Sequence, residues 1–202
     1  RSLGVVELAD NAFVSFVLPA FNEEATIEKA LKRLDSIANV SRLLYEVVVV
    51  DDGSLDNTRL IALRYAGRNQ HVLVVGHACN AGKGLAVRNG FWKCKGEYVV
   101  LVDSDLDVDM GVVKCYVGAL KVADIAIGCK WRKDSFIEVS PMRKLLSLGF
   151  NVLVRLLTGI SIRDTQCGIK AVRREAFLEI FRRLSVKRYT FDVELLVLAK
   201  LY

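Results

Sequence analysis

Short apolar runs alternate with amphipathic stretches along most of the chain. The runs are Phe13–Leu18, Val47–Val50, Val72–Val75, Tyr98–Val102 and Ile125–Ile127, several of them rich in valine. Continuous β-branched runs of this kind predict strands buried on both faces of a parallel sheet. Between them the spacing changes. From Glu23 to Ala38 the residues Ile27, Leu31, Leu34 and Ala38 recur at intervals of three or four, which predicts a helix with one apolar face. Leu55–Tyr65 and Leu85–Lys93 behave alike. Strand–helix alternation predicts an α/β fold: a mostly parallel central sheet flanked by helices and joined by right-handed crossovers. The chain carries no Gly/Ser-rich linker and no internal repeat, so residues 1–202 are read as one domain.

Beyond residue 129 the rhythm is different. Met142–Thr158 reads as a helix with many apolar positions, interrupted or flanked by Arg143, Lys144 and Arg155. Two readings of it stand: a core helix, or a helix lying on a membrane with its cations near anionic lipid. A polar segment, Arg163–Gly168, precedes Ile169–Val172, and a last helix begins near Thr190. The first residue is Arg1 and the last residues still read as helix, so the native termini are expected to lie beyond this chain.

Composition narrows the class. A hydrophobic fraction of 52% excludes intrinsic disorder, and 2 prolines with 14 glycines exclude a collagen-like or low-complexity chain. No continuous apolar stretch reaches the roughly 18 residues that a bilayer span needs. Cysteines stand at 79, 94, 115, 129 and 167, an odd number without CxxC spacing. That disfavours a zinc site or a disulfide framework and points to reduced thiols. The net charge of +6 is unevenly divided: residues 1–129 sum to −2 and residues 130–202 to +8. Each half is expected to meet different chemistry, unless the basic part is simply a solvated surface.

In parallel α/β sheets ligands bind outside the carboxyl ends of the strands, so the residues after each run carry the candidate chemistry. Asp103-Ser104-Asp105-Leu106-Asp107 follows the fourth run. Crowded carboxylates repel one another unless a cation sits among them, and oxygen-only ligands favour Mg²⁺ or Mn²⁺. The competing reading is a solvated acidic loop. Asp51-Asp52-Gly53-Ser54 follows the second run. A carboxylate there can accept a hydrogen bond from a nucleobase N–H while the glycine turns the chain. Alternatively Ser54 is a helix cap. Asn80-Ala81-Gly82-Lys83-Gly84 follows the third run, but its glycine comes after the lysine, which excludes a P-loop. Its glycines and lysine can still approach a nucleotide phosphate or base at a helix start. The absence of G-x-G-x-x-G argues against a nicotinamide dehydrogenase.

Taken in order, Pro19-Ala20-Phe21-Asn22-Glu23-Glu24, Val50-Asp51-Asp52-Gly53-Ser54, Asn80-x-Gly82-Lys83-Gly84 and Asp103-Ser104-Asp105 resemble the family 2 inverting glycosyltransferases with the GT-A fold. Arg143-Lys144-x-x-Ser147, Asp164-Thr165-Gln166-Cys167-Gly168-Ile169-Lys170 and Phe191-Asp192-x-Glu194 look like the polyprenyl (dolichyl)-phosphate glucose and mannose synthases, leaning toward the glucose branch. The resemblance covers roughly Phe13 to Leu198. Ser104 stands where that group often has alanine, and Asp107 where it often has glutamine.

The resemblance implies a nucleoside-diphosphate sugar donor, UDP-glucose or GDP-mannose, and a polyprenyl or dolichyl phosphate acceptor. It implies a donor site of Pro19, Ala20, Phe21, Glu23, Asp51, Asp52, Lys83 and Asp103. Asp103, Asp105 and Asp107 would hold Mg²⁺ or Mn²⁺, and Lys130, Arg143 and Ser147 the acceptor phosphate. Lys130 stands where arginine is common, giving a point charge in place of a bidentate fork. Asp103, Asp105 and Arg143 would be catalytic. A phosphate monoester is already a nucleophile and needs cations to hold it in line more than it needs a general base. The implied location is the cytoplasmic face of a membrane, peripheral or tethered by segments outside this chain, with an anionic membrane surface as partner and no nucleic acid. Asp192 and Glu194 are read either as sugar contacts or as a cap and a salt bridge. Three alternatives stand beside this reading. One is a family 2 enzyme with a soluble sugar, polysaccharide or protein acceptor, using a base such as Asp164 or Glu194. The second is a nucleotide-sugar binding protein without catalysis. The third is a sugar nucleotidyltransferase, disfavoured because Pro19–Glu24 is not a Gly-rich basic loop.

Overall fold

The computed structural model describes residues 13–41, 43–103, 110–128, 149–150, 154–156, 158–160, 167–188 and 190–202. Six strands form one sheet: β1 (Phe13–Ala20), β2 (Leu44–Asp51), β3 (Val72–Gly76), β4 (Tyr98–Val102), β5 (Ile125–Ile127) and β6 (Ile169–Arg173). The helices among the described elements are α1 (Ile27–Val40), α2 (Thr58–Ala66), α3 (Lys83–Lys93), α4 (Met110–Ala119), α5 (Arg174–Arg183) and α6 (Phe191–Leu201). Strand order is β3-β2-β1-β4-β6-β5. β1 pairs in parallel with β2 and β4, and β2 with β3, whereas β6 runs antiparallel to both β4 and β5.

The alternation of side chains along a strand places two cores on the two faces of the sheet. Val14, Phe16 and Leu18 of β1 face α1, joined by Val47 and Val49 of β2 and by Val113 and Val117 of α4. Val17, Val48, Val50, Val99 and Leu101 face the other way, onto Val87 and Phe91 of α3, Phe177 and Phe181 of α5 and Leu195 of α6. Phe91 and Phe181 stack with centroids 3.7 Å apart, tying α3 to α5. The result is three layers, helices on either side of a mostly parallel sheet, as the apolar rhythm predicts.

Two of the five predicted strands are not buried on both faces. β3 and β5 are the edges of the sheet, and their residues are largely half-buried or exposed. A three-residue run at the end of a sheet has a partner on one side only, and β5 finds its partner in the antiparallel β6. Helix starts also move. Glu23 lies in the turn before α1, its carbonyl accepting the amides of Thr26 and Ile27 at 3.0 and 2.9 Å. Of the stretch 142–158, residues 149–150, 154–156 and 158 are helical, and the rest lie outside the described residues. Helices α4 and α5 are not among the elements that the spacing predicts.

Candidate functional site

Parallel pairing brings the carboxyl ends of the first four strands to one edge of the sheet. Ala20 is level with Asp51, and Asp51 with Gly76. The loops that leave these ends are joined side by side. The amide of Asp52 donates to the carbonyl of Ala20 at 2.8 Å, and that of His77 to Asp51 at 2.9 Å. Asn22, in the left-handed region at φ 56°, donates its amide to Ser54 Oγ (3.0 Å), and its own Oδ1 accepts the amide of Leu55 (2.8 Å). The Glu23 amide donates to Thr58 Oγ1 at 2.7 Å. Ser54 therefore fastens two loops together and does not cap α2, whose N-cap residue is Asn57.

The two aspartates at the carboxyl end of β2, Asp51 within it and Asp52 just after it, are both buried, at 1% and 3% exposure. Asp51 Oδ1 accepts the amide of Ser54 at 3.2 Å. The Asp52 carboxylate accepts three bonds: from His77 Nδ1 (2.7 Å) and the amide of Ala81 (3.0 Å) on Oδ1, and from the amide of Gly82 (2.8 Å) on Oδ2. Gly82 has φ 100°, and a Cβ there would lie 2.5 Å from the carbonyl oxygen of Lys187. Only glycine fits that turn. It opens α3, and Lys83, the first helical residue, sends Nζ to within 2.5 Å of Asp103 Oδ1 just beyond β4. Gly168 packs against that same aspartate: a Cβ on it would lie 2.7 Å from Asp103 Oδ2.

A second ion pair lies beside the first. Lys170 on β6 is 2% exposed and sits 2.6 Å from Asp192 Oδ1 of α6, while also donating to the carbonyl of Cys167 at 2.7 Å. Burial pushes the Asp192 carboxyl above its ordinary range; Lys170 and Lys83 pull it back in part, and Asp103 adds to the rise. Pro19, Lys83, Asp103, Gly168, Lys170 and Asp192 line one cleft. Glu194 is turned elsewhere: its carboxylate accepts the amides of Ser185 and Val186 and the Ser185 hydroxyl, bracing the segment before α6.

Of the residues singled out from the sequence, Pro19, Lys83 and Asp103 therefore share a cleft, with Asp51 and Asp52 at a neighbouring strand end. Ala20 is 2% exposed and contributes its backbone. Phe21 is 41% exposed above the same edge. Glu23 is half-buried, its side chain accepting the hydroxyl of Thr26. Asp105, Asp107, Lys130, Arg143 and Ser147 lie outside the described residues. Lys170, His77 and Asn89 carry polar contacts to which no role had been given. A lysine inside an otherwise apolar strand is the signal for the first, since lysine is seldom buried without a partner. His77 is the first residue after β3, at a strand end where the fold class places ligand chemistry.

Among the described residues no three metal-type side chains converge. The donor chemistry at Asp103 nonetheless fits a hard divalent cation: an oxygen ligand at a strand end, partly open to solvent, with two further aspartates of its motif outside the described residues.

An open, mostly parallel sheet whose strand-end loops carry a lysine–aspartate pair beside buried carboxylates defines an α/β protein with a ligand site at its carboxyl edge. Residues 15–181 match the model of Glycosyl transferase family 2, and the chain belongs to that family. It is 36% identical over 203 residues to a dolichyl-phosphate beta-glucosyltransferase of Mus musculus, covering 93% of this chain and 63% of the relative. The Homo sapiens protein of the same name is 35% identical over 217 residues, covering 94% and 63%. The chain thus spans somewhat under two thirds of the length of these relatives. Among solved structures it resembles glucosyl-3-phosphoglycerate synthase from Mycobacterium tuberculosis, in complex with Mn²⁺, UDP and glucosyl-3-phosphoglycerate. The TM-score is 0.65 at 26% identity, over 92% of this chain and 64% of that one. The architecture is that of a GT-A glycosyltransferase.

Proposed function

We propose that this chain is the catalytic part of an inverting hexosyltransferase that moves a hexose from a nucleoside-diphosphate sugar to a polyprenyl or dolichyl phosphate at a membrane surface. The observation that carries the reading is the Lys83–Asp103 pair at the carboxyl edge of the sheet, flanked by the loops that follow β1 and β2. The names of the curated relatives support the lipid acceptor and glucose as the sugar, and the UDP bound in the structural relative supports a uridine donor.

In this reading Pro19, Ala20, Phe21, Glu23, Asp51 and Asp52 line the nucleoside end of the donor site, and Lys83 lies at its diphosphate. Asp103, with Asp105 and Asp107, holds Mg²⁺ or Mn²⁺. When bound, such a cation neutralises charge on the leaving diphosphate and orients it. Lys130, Arg143 and Ser147 hold the acceptor phosphate in line with the anomeric carbon. One phosphate oxygen forms the new C–O bond from the face opposite the diphosphate. The bond from that carbon to the diphosphate breaks, and the nucleoside diphosphate leaves with the electron pair. No helix among the described residues is long and apolar enough to cross a membrane. The basic residues of 130–202 are assigned the task of holding the enzyme at the cytoplasmic face, as a peripheral protein or beside a tether outside this chain.

Transfer of labelled sugar from UDP-glucose or GDP-mannose, with Mn²⁺ or Mg²⁺, into an organic-extractable polyprenyl phosphate tests this. Lipid-bound label with one donor is expected. Label transferred only to a soluble phosphorylated or sugar acceptor would assign the chain to the other branch of the family, and no transfer with any donor would remove the assignment.

A further inference from the structure

The loop between β3 and α3 is short, irregular and exposed from Ala78 to Asn80. Such a segment has no ladder of its own to hold its shape, so its side-chain bonds decide where it lies. Two of its amides, those of Ala81 and Gly82, point at the Asp52 carboxylate at 3.0 and 2.8 Å. Gly82 is also the residue whose carbonyl accepts the amides of Leu85 and Ala86, the first turn of α3, at 3.0 and 3.1 Å. Asp52 thereby anchors the residue immediately before Lys83.

Asp52 is in turn held by His77. The imidazole Nδ1 is 2.7 Å from Asp52 Oδ1, with the two side chains 16% and 4% exposed. A carboxylate accepts and does not donate, so the proton on this contact belongs to Nδ1. The other ring nitrogen, Nε2, is 2.7 Å from Asn89 Nδ2 on the second turn of α3. That amide donates into the Nε2 lone pair, which agrees with a proton on Nδ1. One imidazole therefore joins two points of α3: its start, through Asp52 and Gly82, and its second turn, through Asn89. A histidine bonded on both nitrogens has its ring plane and tautomer set, which is how such a residue orients a carboxylate.

We infer that His77 is a positioning residue for donor binding: held by Asn89, it orients Asp52 so that the loop before α3 is locked and Lys83 is delivered to the diphosphate end of the donor site. This rests on the function proposed above for Lys83 and Asp103. Asp52 keeps its place at the nucleoside end of that site. Three of its roughly four acceptor sites are taken by the protein itself. Its contribution is to build the wall of the nucleotide site, and His77 sets the direction in which it does so.

The groove beside His77 is lined by Val75, Gly76, Asn89, Trp92 and Lys93, and neither His77 nor any of these residues lines the Lys83 cleft. Substitutions at His77 can therefore be made without touching the cleft. His77→Leu removes both bonds. His77→Asn keeps an N–H at the position of Nδ1 and loses the contact to Asn89. Asn89→Leu removes that contact alone.

The test compares amide hydrogen exchange in residues 78–82 with that in β1 and β2, and measures UDP binding in the presence of Mn²⁺ together with KM and kcat. In His77→Leu, exchange in the loop is expected to speed up about tenfold with the strands unchanged. UDP affinity should fall and the donor KM rise by a similar factor, the size of one lost charge-assisted hydrogen bond, with kcat within about twofold. His77→Asn should recover most of the loss, and Asn89→Leu should fall between. Unchanged loop exchange and KM in His77→Leu would overturn the inference. So would faster exchange spread through β1 and β2, which marks a general structural role. Should His77→Leu not fold, the contrast between His77→Asn and Asn89→Leu decides the matter by the same measures. Should the wild-type chain bind no UDP, the proposed function fails on its own, and loop exchange alone still decides whether His77 holds Asp52.

Discussion

Lys83 Nζ stands 2.5 Å from Asp103 Oδ1, so the first residue of α3 neutralises the carboxylate that follows β4. The two come from different crossovers and meet because α3 starts, and β4 ends, at the same edge of the sheet. Their side chains are 26% and 31% exposed, which leaves the pair open to competition from a bound cation or diphosphate. In the proposed enzyme Lys83 would turn from Asp103 to the donor diphosphate, leaving the Asp103 carboxylate to help hold the cation.

Lys83→Met should separate these two roles. With its competitor gone, Asp103 is expected to bind Mn²⁺ in the absence of nucleotide about two- to fivefold more tightly, the range of a partly exposed ion pair. UDP binding should weaken about tenfold, since a charge-assisted contact to phosphate is lost. Titration calorimetry with Mn²⁺ alone, then with UDP at saturating Mn²⁺, reads both. A parallel loss of the two affinities would contradict the exchange of partners.

Gly168→Ala is expected to damage activity far more than stability. The added Cβ would lie 2.7 Å from Asp103 Oδ2, and the atom that must give way is the end of a side chain, not backbone. The fold should change by less than about 1 kcal/mol, as for most substitutions that keep a permitted backbone. In the proposed site, a shift of about 1 Å in the Asp103 carboxylate can cost about a hundredfold in turnover. Thermal unfolding and steady-state assays measured side by side give the comparison.

The pair formed by Lys170 and Asp192 makes a stability prediction with a pH sign. Lys170→Met leaves Asp192 buried without its partner and should destabilise the chain by about 3–5 kcal/mol at neutral pH. Burial already holds the Asp192 carboxyl above its ordinary range in the fold, and losing Lys170 raises it further. A carboxyl raised in the folded state favours folding when protonated and opposes it when ionised. The deficit should therefore be full at neutral pH and shrink as the pH falls through the carboxyl's folded value. Urea unfolding across the acidic range checks this, and the double variant Lys170→Met/Asp192→Leu should recover most of the loss.

Thiol labelling gives a further check on the loop before α3. Burial pushes the Cys94 thiol up to about 12, and its Sγ donates to the carbonyl of Gly90 at 3.3 Å. Iodoacetamide at pH 8 should leave Cys94 unmodified until the chain unfolds, because the thiolate is the nucleophile. Cys79 and Cys115 are exposed and should react in the native protein. UDP with Mn²⁺ should slow the labelling of Cys79, which sits in the loop anchored by Asp52, and leave Cys115 unaffected. Peptide mass mapping after timed labelling distinguishes the three sites.

How much of this was legible in the chain depends on the range of the interaction involved. The apolar runs and the spacing of Ile27, Leu31 and Leu34 report which residues must leave water, and they were enough for the mostly parallel α/β class. That class places a ligand site at the strand ends, which makes Asp51, Asp52, Lys83 and Asp103 candidates from the sequence alone. Periodicity counts buried faces without naming neighbours, so it read β3 and β5 as interior strands when they are edges, and it gave no sign that β6 runs antiparallel. The partners of polar groups are likewise set by packing between segments far apart in sequence. Ser54 beside Asp51-Asp52-Gly53 looks like a cap, yet it accepts a bond from Asn22, 32 residues away. The Asp52 carboxylate is held by His77, Ala81 and Gly82, 25 to 30 residues further along the chain. Lys170 looks like one residue of a motif, yet it is buried against Asp192. The sequence by itself determined the class of fold and the edge of the sheet where chemistry belongs, because those follow from local spacing and from the types of side chain at strand ends, and its motifs carried the resemblance to the family. Only the tertiary structure decided which carboxylate faces which cation, because that depends on where the crossovers bring α3, β4, β6 and α6 together.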